Sequence, residues 1–266
     1  MTYSIWNSNS KGLFDLAELE QLIQTNTKLI ALNHASNVLG VLSPVRSVGC
    51  IAKRHGISLL IDVAQTAGLF PVNFGDFADY IAGTGHKSLL GPPGVGFLYV
   101  KNPDTLSTLH EGGSGQHSLS PFHPEEAPDK FESGTLNYVG IAGLKGALCY
   151  IENYGQELLR KKVMQLTEQA MKLLSELPGI TIYGTQEMEH KVPLLSFNCK
   201  GYFANEIGYL LNQHEIFVRC GLHCAPLIHR SVGTLPHGTV RVSLGHHNTL
   251  EEIHQLCDIL HSLGQQ

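Results

Sequence analysis

The first hundred residues alternate between helical and continuous apolar patterns. Leucines recur at helical intervals over 16–23, directly behind Asp15, which has the position of an N-cap. Continuous apolar runs follow at 28–32 and 57–63, and the segment 44–55 between them has a helical pattern. The pattern therefore predicts a helix, a strand, a second helix and a second strand.

Further strands are predicted at 80–82 and 95–100. Because these apolar runs are continuous rather than alternating, and helices separate the first of them, they indicate a mainly parallel sheet covered on both faces. Ligands of such sheets bind at the carboxyl ends of the strands. Asn37, Asp62 and Gln65 fall at or just past such ends, so they are candidate site residues.

A helical pattern from 137 to 178, broken near Gly155, leads to a second alternation. The predicted elements there are strands at 180–183, 194–198, 216–219 and 239–244 and helices at 205–213 and 249–263. We place a domain boundary near residue 150, which separates residues 1–150 from a smaller α/β domain at 151–266. The loop 111–128 is too long for a simple connection and is expected to shape access to a site.

Composition narrows the function classes. The 266 residues are 42% hydrophobic, and 18 Lys and Arg against 23 Asp and Glu leave a formal charge of -5, which disfavours binding to a nucleic-acid backbone. No run reaches the ~18 apolar residues that a membrane span needs, and the start of the chain is polar. The six cysteines are scattered, which predicts reduced thiols and a cytoplasmic protein.

Lys87 is the first candidate for chemistry. It follows Gly83-Thr84-Gly85-His86 at the end of a predicted strand, where an amine is well placed to form a Schiff base with a carbonyl. Taken alone, it is more commonly an ordinary loop lysine. The next segment, 91–96, has neither the Gly-Lys-Ser/Thr of a P-loop nor the spacing of a dinucleotide fingerprint, which excludes both nucleotide motifs.

Asp62 precedes Lys87 at the end of another predicted strand, with Gln65 three residues later. A pyridoxal phosphate (PLP) enzyme needs a lysine that binds the cofactor and a carboxylate that keeps its ring nitrogen protonated. Asp62 is a candidate for that carboxylate. An N-cap or turn role for Asp62 explains its position equally well.

The chain resembles the class V aminotransferase superfamily, and most closely its cysteine desulfurase and selenocysteine lyase branch, from about Asp15 to the C-terminus. The resemblance rests on six motifs in the family's order: His34-Ala35-Ser36-Asn37-Val38-Leu39-Gly40, Asp62-Val63-Ala64-Gln65-Thr66, Thr84-Gly85-His86-Lys87, Glu132-Ser133-Gly134-Thr135, Arg219-Cys220-Gly221-Leu222-His223-Cys224-Ala225 and Val240-Arg241-Val242-Ser243. It implies a PLP-dependent transferase-like fold of type I, with an incomplete large domain at 1–150 that contains a mainly parallel sheet.

The resemblance also implies which residues hold the cofactor. Lys87 matches the lysine that binds PLP and moves the proton on the substrate's Cα. Asp62 matches the partner of the ring nitrogen, and Gln65 matches the donor to the phenolic oxygen. Thr84 and His86 match contacts to the cofactor phosphate.

Four further residues match substrate, subunit and sulfur-transfer positions of the family. Thr135 matches a residue that reaches the phosphate of a neighbouring protomer, which implies a homodimer. Asn37 and Arg241 match groups that hold the substrate carboxylate, a task that suits a guanidinium fork. Cys224 matches the thiol that takes sulfur from L-cysteine or selenium from selenocysteine, releases alanine and passes the sulfur to an acceptor protein. Cys220 is interpreted as a packed or accessory thiol.

A zinc site is the main alternative interpretation of the segment around Cys224. Cys220, His223, Cys224 and His229 are close in sequence, but structural zinc sites usually show two paired ligand clusters, and the spacing here is irregular. We therefore predict no metal site. Most of the fifteen histidines are expected to be solvated or packed.

The chain departs from the family at its start. In the family, an earlier segment carries a histidine that stacks on the cofactor, a Gly/Thr turn for the phosphate and the opening strand of the sheet, and residues 1–33 supply none of these. His34 belongs to the Asn37 motif and is not that histidine. Two expectations follow: a truncated or split gene product, or a fold with an altered sheet edge, an exposed apolar patch and weakened cofactor binding.

Three functions stay open on this sequence. The first is a PLP-dependent cysteine desulfurase. The second is another class V reaction, such as transamination, epimerisation or a lyase reaction without a persulfide, because all of these use the same cofactor and carboxylate clamp. The third is an inactive chain that serves only as a binding partner.

Overall fold

The computed structural model describes residues 2–115 and 119–263, which form two four-stranded sheets with helices packed on them. The first sheet contains β1 (Leu29–Asn33), β2 (Ser58–Asp62), β3 (Tyr80–Thr84) and β4 (Gly96–Val100), and the second contains β5 (Ile180–Tyr183), β6 (Leu194–Cys199), β7 (Arg219–Gly221) and β8 (Thr239–Ser243). The helices are α1 (Leu16–Leu22), α2 (Val45–His55), α3 (Tyr138–Tyr154), α4 (Gln156–Glu176), α5 (Ala204–Gln213), α6 (Pro226–Ser231) and α7 (Leu250–Leu263). Residues 116–118 of the predicted access loop lie outside the described ranges.

The first sheet has the order β1-β2-β3-β4 and confirms a mainly parallel arrangement. Strand β4 is antiparallel to β3, because the short segment between them makes turns instead of the crossover that a parallel strand needs. Burial alternates along β1, where Ile30 and Leu32 are buried and Leu29 is exposed. The prediction that both faces are covered is therefore wrong within the described residues.

The cap at the start of α1 and the end of α2 agree with the sequence pattern. The Asp15 side chain accepts a hydrogen bond from the N–H of Ala17 and caps α1. Helix α2 ends at Gly56, whose φ of 62° is left-handed, and buried Val48 and Ile51 pack in the core beneath the sheet. These contacts cover one face of the first sheet.

The second sheet is antiparallel, with the order β5-β6-β8-β7. The strand predicted at 216–219 instead begins at Arg219, because β7 pairs with β8 only from Arg219 opposite Arg241 onward. Helix α6 was not predicted, because its six residues from Pro226 are too few to show a helical period. The other predicted strands of this half and the helices at 205–213 and 249–263 agree with the structure to within one residue.

Helix α4 connects the two hydrophobic cores. Its residues Leu159 and Val163 belong to the first core, and Leu166 and Ala170 belong to the second. Gly155, with φ of 94°, separates α3 from α4 at the predicted break. The domain boundary near residue 150 stays a prediction.

Several apolar side chains of α3 and β4 are exposed to solvent. On α3, Tyr138 is 66% and Val139 is 86% exposed, and on β4, Phe97, Leu98 and Tyr99 are exposed. We call these two elements the apolar face. It agrees with the expected exposed patch. Among the described residues, no helix combines the length and the apolar content that crossing a bilayer would need.

Lys191 is fully buried between the two halves of the chain. Its Nζ donates to the carbonyl of Leu39 at 2.9 Å, and burial lowers its pKa from 10.5 to about 8. Between those two pKa values the unfolded chain holds a proton that the folded chain has lost, so the free energy of unfolding rises with pH across that window.

We expect this pH dependence to disappear in Lys191→Met. The difference in free energy of unfolding between wild type and variant should change by about 2 kcal/mol between pH 7.5 and 9.5. Urea unfolding at both pH values measures it, and cysteine or tyrosine titration cancels in the difference. A difference that is constant with pH would contradict a buried, readily deprotonated Lys191.

Candidate active site

Asp62 and Thr84 lie at the carboxyl ends of two neighbouring parallel strands. Asp62 is the last residue of β2 and pairs in register with Ala82 of β3, two residues before Thr84. One oxygen of the exposed Asp62 carboxylate accepts the N–H of Ala64 at 2.8 Å, and the other has no partner within the described residues. Thr84 Oγ1 forms a 2.8 Å hydrogen bond with Nδ1 of exposed His86. Three of the predicted cofactor residues therefore share one edge of the sheet.

Lys87 lies on the turn that follows β3. Its side chain is exposed, and its amine has no hydrogen-bond or ion-pair partner in the part of the chain that the structure describes. The turn packs against Gly68, where a Cβ would come within 2.2 Å of the Ser88 carbonyl oxygen. Only glycine allows this approach, which brings the turn carrying Gln65 against the turn carrying Lys87.

A cavity of 310 Å³ joins the two halves of the chain at this point. Gln65 and Lys87 line it from the first half, and Arg241, Ser243 and His246 line it from the second. His246 is buried, and its Nε2 is 3.0 Å from the Tyr150 hydroxyl. Burial and then the neighbouring His247 lower its pKa. Ser243 belongs to a motif of the resemblance without an assigned role, and His246 lies outside every motif of the sequence.

Arg241 is half-buried beside the cavity, and one of its guanidinium N–H groups has no hydrogen-bond partner in the described residues. Its Nη1 donates to the Asn37 carbonyl at 3.1 Å, and its Nε is buried without a partner. Burial, followed by nearby Arg219, lowers its pKa. A buried guanidinium edge with an unpaired N–H suits a carboxylate ligand. Asn37 lies next to it, and its Nδ2 donates to the His223 carbonyl at 2.6 Å.

The loop that carries Cys224 follows β7 and has an unusual backbone. His223 and Cys224 have φ values of 50° and 60°, which are left-handed and uncommon outside glycine. The Cys224 thiol is exposed, and Arg219 Nη2 lies 3.4 Å from its Sγ. His223 is buried with Nε2 3.0 Å from the Thr239 carbonyl oxygen, and burial lowers its pKa to about 4. The loop thus holds a neutral imidazole inside and presents the thiol outside.

Several residues lie outside this cavity or serve packing. The predicted site residues that do not line the cavity are Asp62, Thr84, His86, Asn37, Thr135 and Cys224. Asn37 is linked to it through Arg241, and Thr135 is exposed just ahead of α3. Cys220 Sγ packs closely against Gly208 of α5, and burial raises its pKa, in line with a packed thiol. His34 is buried, with its Nδ1 2.8 Å from Thr66 Oγ1, so it is not free to stack on a ligand.

The donor set fits PLP. An unpaired amine, a carboxylate with a free oxygen and a hydroxyl–imidazole pair lie at or just after the strand ends. Gln65 adds an amide, and Arg241, whose Nε has no partner, lines the same cavity as Gln65 and Lys87. These groups are those that a phosphorylated pyridine aldehyde and an amino-acid carboxylate would need. The chemistry of the site therefore agrees with the predicted cofactor.

Comparison with known proteins gives the family. Residues 1–256 match the family described as Aminotransferase class-V. A probable cysteine desulfurase of Pyrococcus abyssi is 33% identical over 96% of this chain and 64% of its own length, and a cysteine desulfurase of Pectobacterium atrosepticum is 37% identical over 92% of this chain and 60% of its own. The chain thus spans less than two thirds of these relatives.

Comparison with solved structures agrees with this family assignment. The apo cysteine desulfurase of Thermococcus onnurineus NA1 superposes with a TM-score of 0.92 at 33% identity, over 98% of this chain and 66% of that one. The S-sulfonic acid form of the cysteine desulfurase CsdA of Escherichia coli gives 0.86 at 29% identity, over 95% and 63%. The fold is therefore that of part of a PLP-dependent enzyme of fold type I, and the chain belongs to the class V aminotransferase family.

Proposed function

We propose that this chain is a PLP-dependent enzyme of the cysteine desulfurase type, which removes sulfur from L-cysteine and releases alanine. The observation that supports it most directly is the cavity in which Lys87 and Gln65 meet Arg241 from the other half of the chain. Through Asn37, Arg241 is also linked to the loop that carries the exposed Cys224. Amine, carboxylate clamp and thiol are the groups that this reaction uses.

The cofactor would be held at the strand ends. Lys87 would bind it through Nζ, Asp62 would hold a proton on its ring nitrogen, and Gln65 would donate to its phenolic oxygen. Thr84 and His86 would bind its phosphate. When bound, PLP supplies an electron sink for the bond cleavage at the substrate.

The substrate would be oriented by its carboxylate. Arg241 and Asn37 would bind that group, and Lys87 Nζ would move the proton on Cα. Cys224 Sγ would then attack the substrate sulfur, so that a sulfur–sulfur bond forms as the carbon–sulfur bond breaks. L-Cysteine and one thiol thus give alanine and one persulfide, and the outer sulfur passes to an acceptor protein. Selenocysteine would react in the same way.

Arg219 favours this reaction over other class V chemistry. A guanidinium directed at an exposed thiol has no purpose in a transaminase or an epimerase, whereas it suits a thiol that acts as nucleophile. The test is to incubate the protein with PLP, L-cysteine and a dithiol, which reduces the persulfide to thiol and sulfide, and to measure alanine and released sulfide. Formation of a keto acid without sulfide would instead indicate transamination, and failure to bind PLP at high concentration would indicate a chain that only binds partners.

A homodimer belongs to the same proposal. Thr135 is exposed directly before α3, and α3 and β4 form the apolar face, so a second copy packed on this face would bring Thr135 toward the partner's cofactor site.

All six cysteines are free, in keeping with the proposed cytoplasmic location.

We expect Val139→Asp to prevent this association. The side chain is 86% exposed in the first turn of α3, where an aspartate favours the helix, so the fold should persist while a charge enters the apolar face. Light scattering coupled to size exclusion measures the mass. Lys53→Gln, which changes the net charge equally on α2, is the control. A monomeric wild type, or a variant that still dimerises, would contradict a dimer through this face.

A further inference from the structure

The loop of residues 36–41, here the Asn37 loop, is tightly built. The Ser36 hydroxyl oxygen accepts the N–H of Leu39 at 3.0 Å, and the Ser36 carbonyl accepts the N–H of Gly40 at 3.1 Å. Gly40 has φ of 62°, and a Cβ there would lie 2.5 Å from the Leu194 carbonyl oxygen. The loop therefore packs directly against β6 of the second sheet.

Three successive carbonyl groups of the Asn37 loop each accept a side-chain hydrogen bond from 152 to 204 positions later in the chain. The pairs are Arg241 Nη1 to Asn37 at 3.1 Å, Ser196 Oγ to Val38 at 2.6 Å and Lys191 Nζ to Leu39 at 2.9 Å. Two of these donors, Ser196 and Lys191, are fully buried. Nothing in the proposed reaction uses either of them.

Burying an ammonium group costs free energy, so we expect the hydrogen bond that Lys191 makes to have a structural role. The carbonyl of Leu39 is buried, and Lys191 is its donor. Without Lys191 this carbonyl would be left unpaired. Ser196 does the same for Val38 without a charge.

One side-chain hydrogen bond links the Asn37 loop to the backbone next to Cys224, and Ala225 packs against the cluster of Val38, Leu39 and Val41. The Asn37 side chain donates to the His223 carbonyl at 2.6 Å, and His223 directly precedes Cys224. Both residues hold left-handed backbone conformations, which persist only when surrounding contacts impose them. The loop of residues 221–225, here the Cys224 loop, is therefore fixed in part by the Asn37 loop.

We propose that Lys191 and Ser196 are positioning residues, which hold the Asn37 loop so that Asn37 keeps the Cys224 loop in its left-handed conformation. The inference concerns the backbone that presents Cys224 and rests on the proposed function only in taking Cys224 as the acting thiol. It predicts that removing a donor at position 191 or 196 loosens a segment that neither residue touches.

Hydrogen–deuterium exchange with peptide mass spectrometry tests this without cofactor or substrate. In Lys191→Met, Ser196→Ala and Asn37→Ala, exchange in a peptide spanning 219–226 should be faster by a factor on the order of ten. The double variant Lys191→Met with Asn37→Ala should exchange no faster there than Asn37→Ala alone, because both changes break the same link. A role in general packing would not give this equality.

Thr167→Val is the matched control. Thr167 is also fully buried and donates through Oγ1 to the Val163 carbonyl at 2.7 Å, but it lies within α4. It should leave exchange at 219–226 at the wild-type rate. Unchanged exchange at 219–226 in both Lys191→Met and Ser196→Ala would overturn the proposal, as would additive effects in the double variant.

The two proposals fail separately. Faster exchange at 219–226 in a protein that forms no alanine from L-cysteine would leave the positioning role standing and remove the desulfurase function. Alanine formation together with wild-type exchange in the variants would do the reverse.

Discussion

Lys87→Ala is expected to abolish the visible absorbance of lysine-bound PLP and to lower alanine formation from L-cysteine at least on the order of 10³-fold. The reason is that one amine would both hold the cofactor and move the Cα proton. In the wild type, borohydride reduction should attach the pyridoxyl group to the peptide containing Lys87. Absorbance spectra, peptide masses and an alanine assay measure the three effects.

Lys87→Arg and Lys53→Ala separate the amine from its charge. Arginine retains a positive charge at the same turn but forms no stable imine, so Lys87→Arg should fail as Lys87→Ala does. Lys53 is an exposed lysine of α2, and Lys53→Ala should behave as the wild type. If borohydride leaves the Lys87 peptide of the wild type unmodified, or if Lys87→Arg still forms alanine, Lys87 is not the lysine that binds the cofactor.

The strand-end residues could be predicted because their positions depend on local sequence. Asp62 and Thr84 each end an apolar run, and neighbouring parallel strands place their carboxyl ends side by side. The glycines around Lys87 mark a turn in the same way. A single sequence is therefore enough to bring these residues to one edge of the sheet.

The resemblance brings Asn37 and Arg241 to one carboxylate, but residue patterns alone do not predict the contacts between the two halves, because these depend on the packing of distant segments. Nothing near Asn37 indicates that its carbonyl accepts from Arg241, 204 positions later, or that His246 closes the cavity. A lysine within Glu189-His190-Lys191 looks solvated in the sequence, yet Lys191 is fully buried. The roles of such residues follow only from the tertiary structure.

The uncovered face of the first sheet has a similar origin. The runs in β1 and β2 are continuous, as in a strand buried on both faces, but the described residues cover one face only. The hydrophobic pattern of a strand indicates which of its faces can be buried. It does not indicate whether the residues that bury them belong to the same chain.

Cys224→Ser is expected to leave the lysine-bound PLP spectrum unchanged and to lower sulfide release and protein persulfide on the order of 10³-fold or more. Serine keeps the size of the side chain and the turn but offers a hydroxyl, which is a poor nucleophile toward sulfur. Cys149→Ser is the control, since Cys149 is also exposed but lies on α3. Because Lys87 and Cys224 act on different atoms, loss of both the spectrum and the persulfide would indicate a damaged fold. Full sulfide release in Cys224→Ser would show that sulfur leaves the substrate without this thiol, and the reaction would then be that of a lyase.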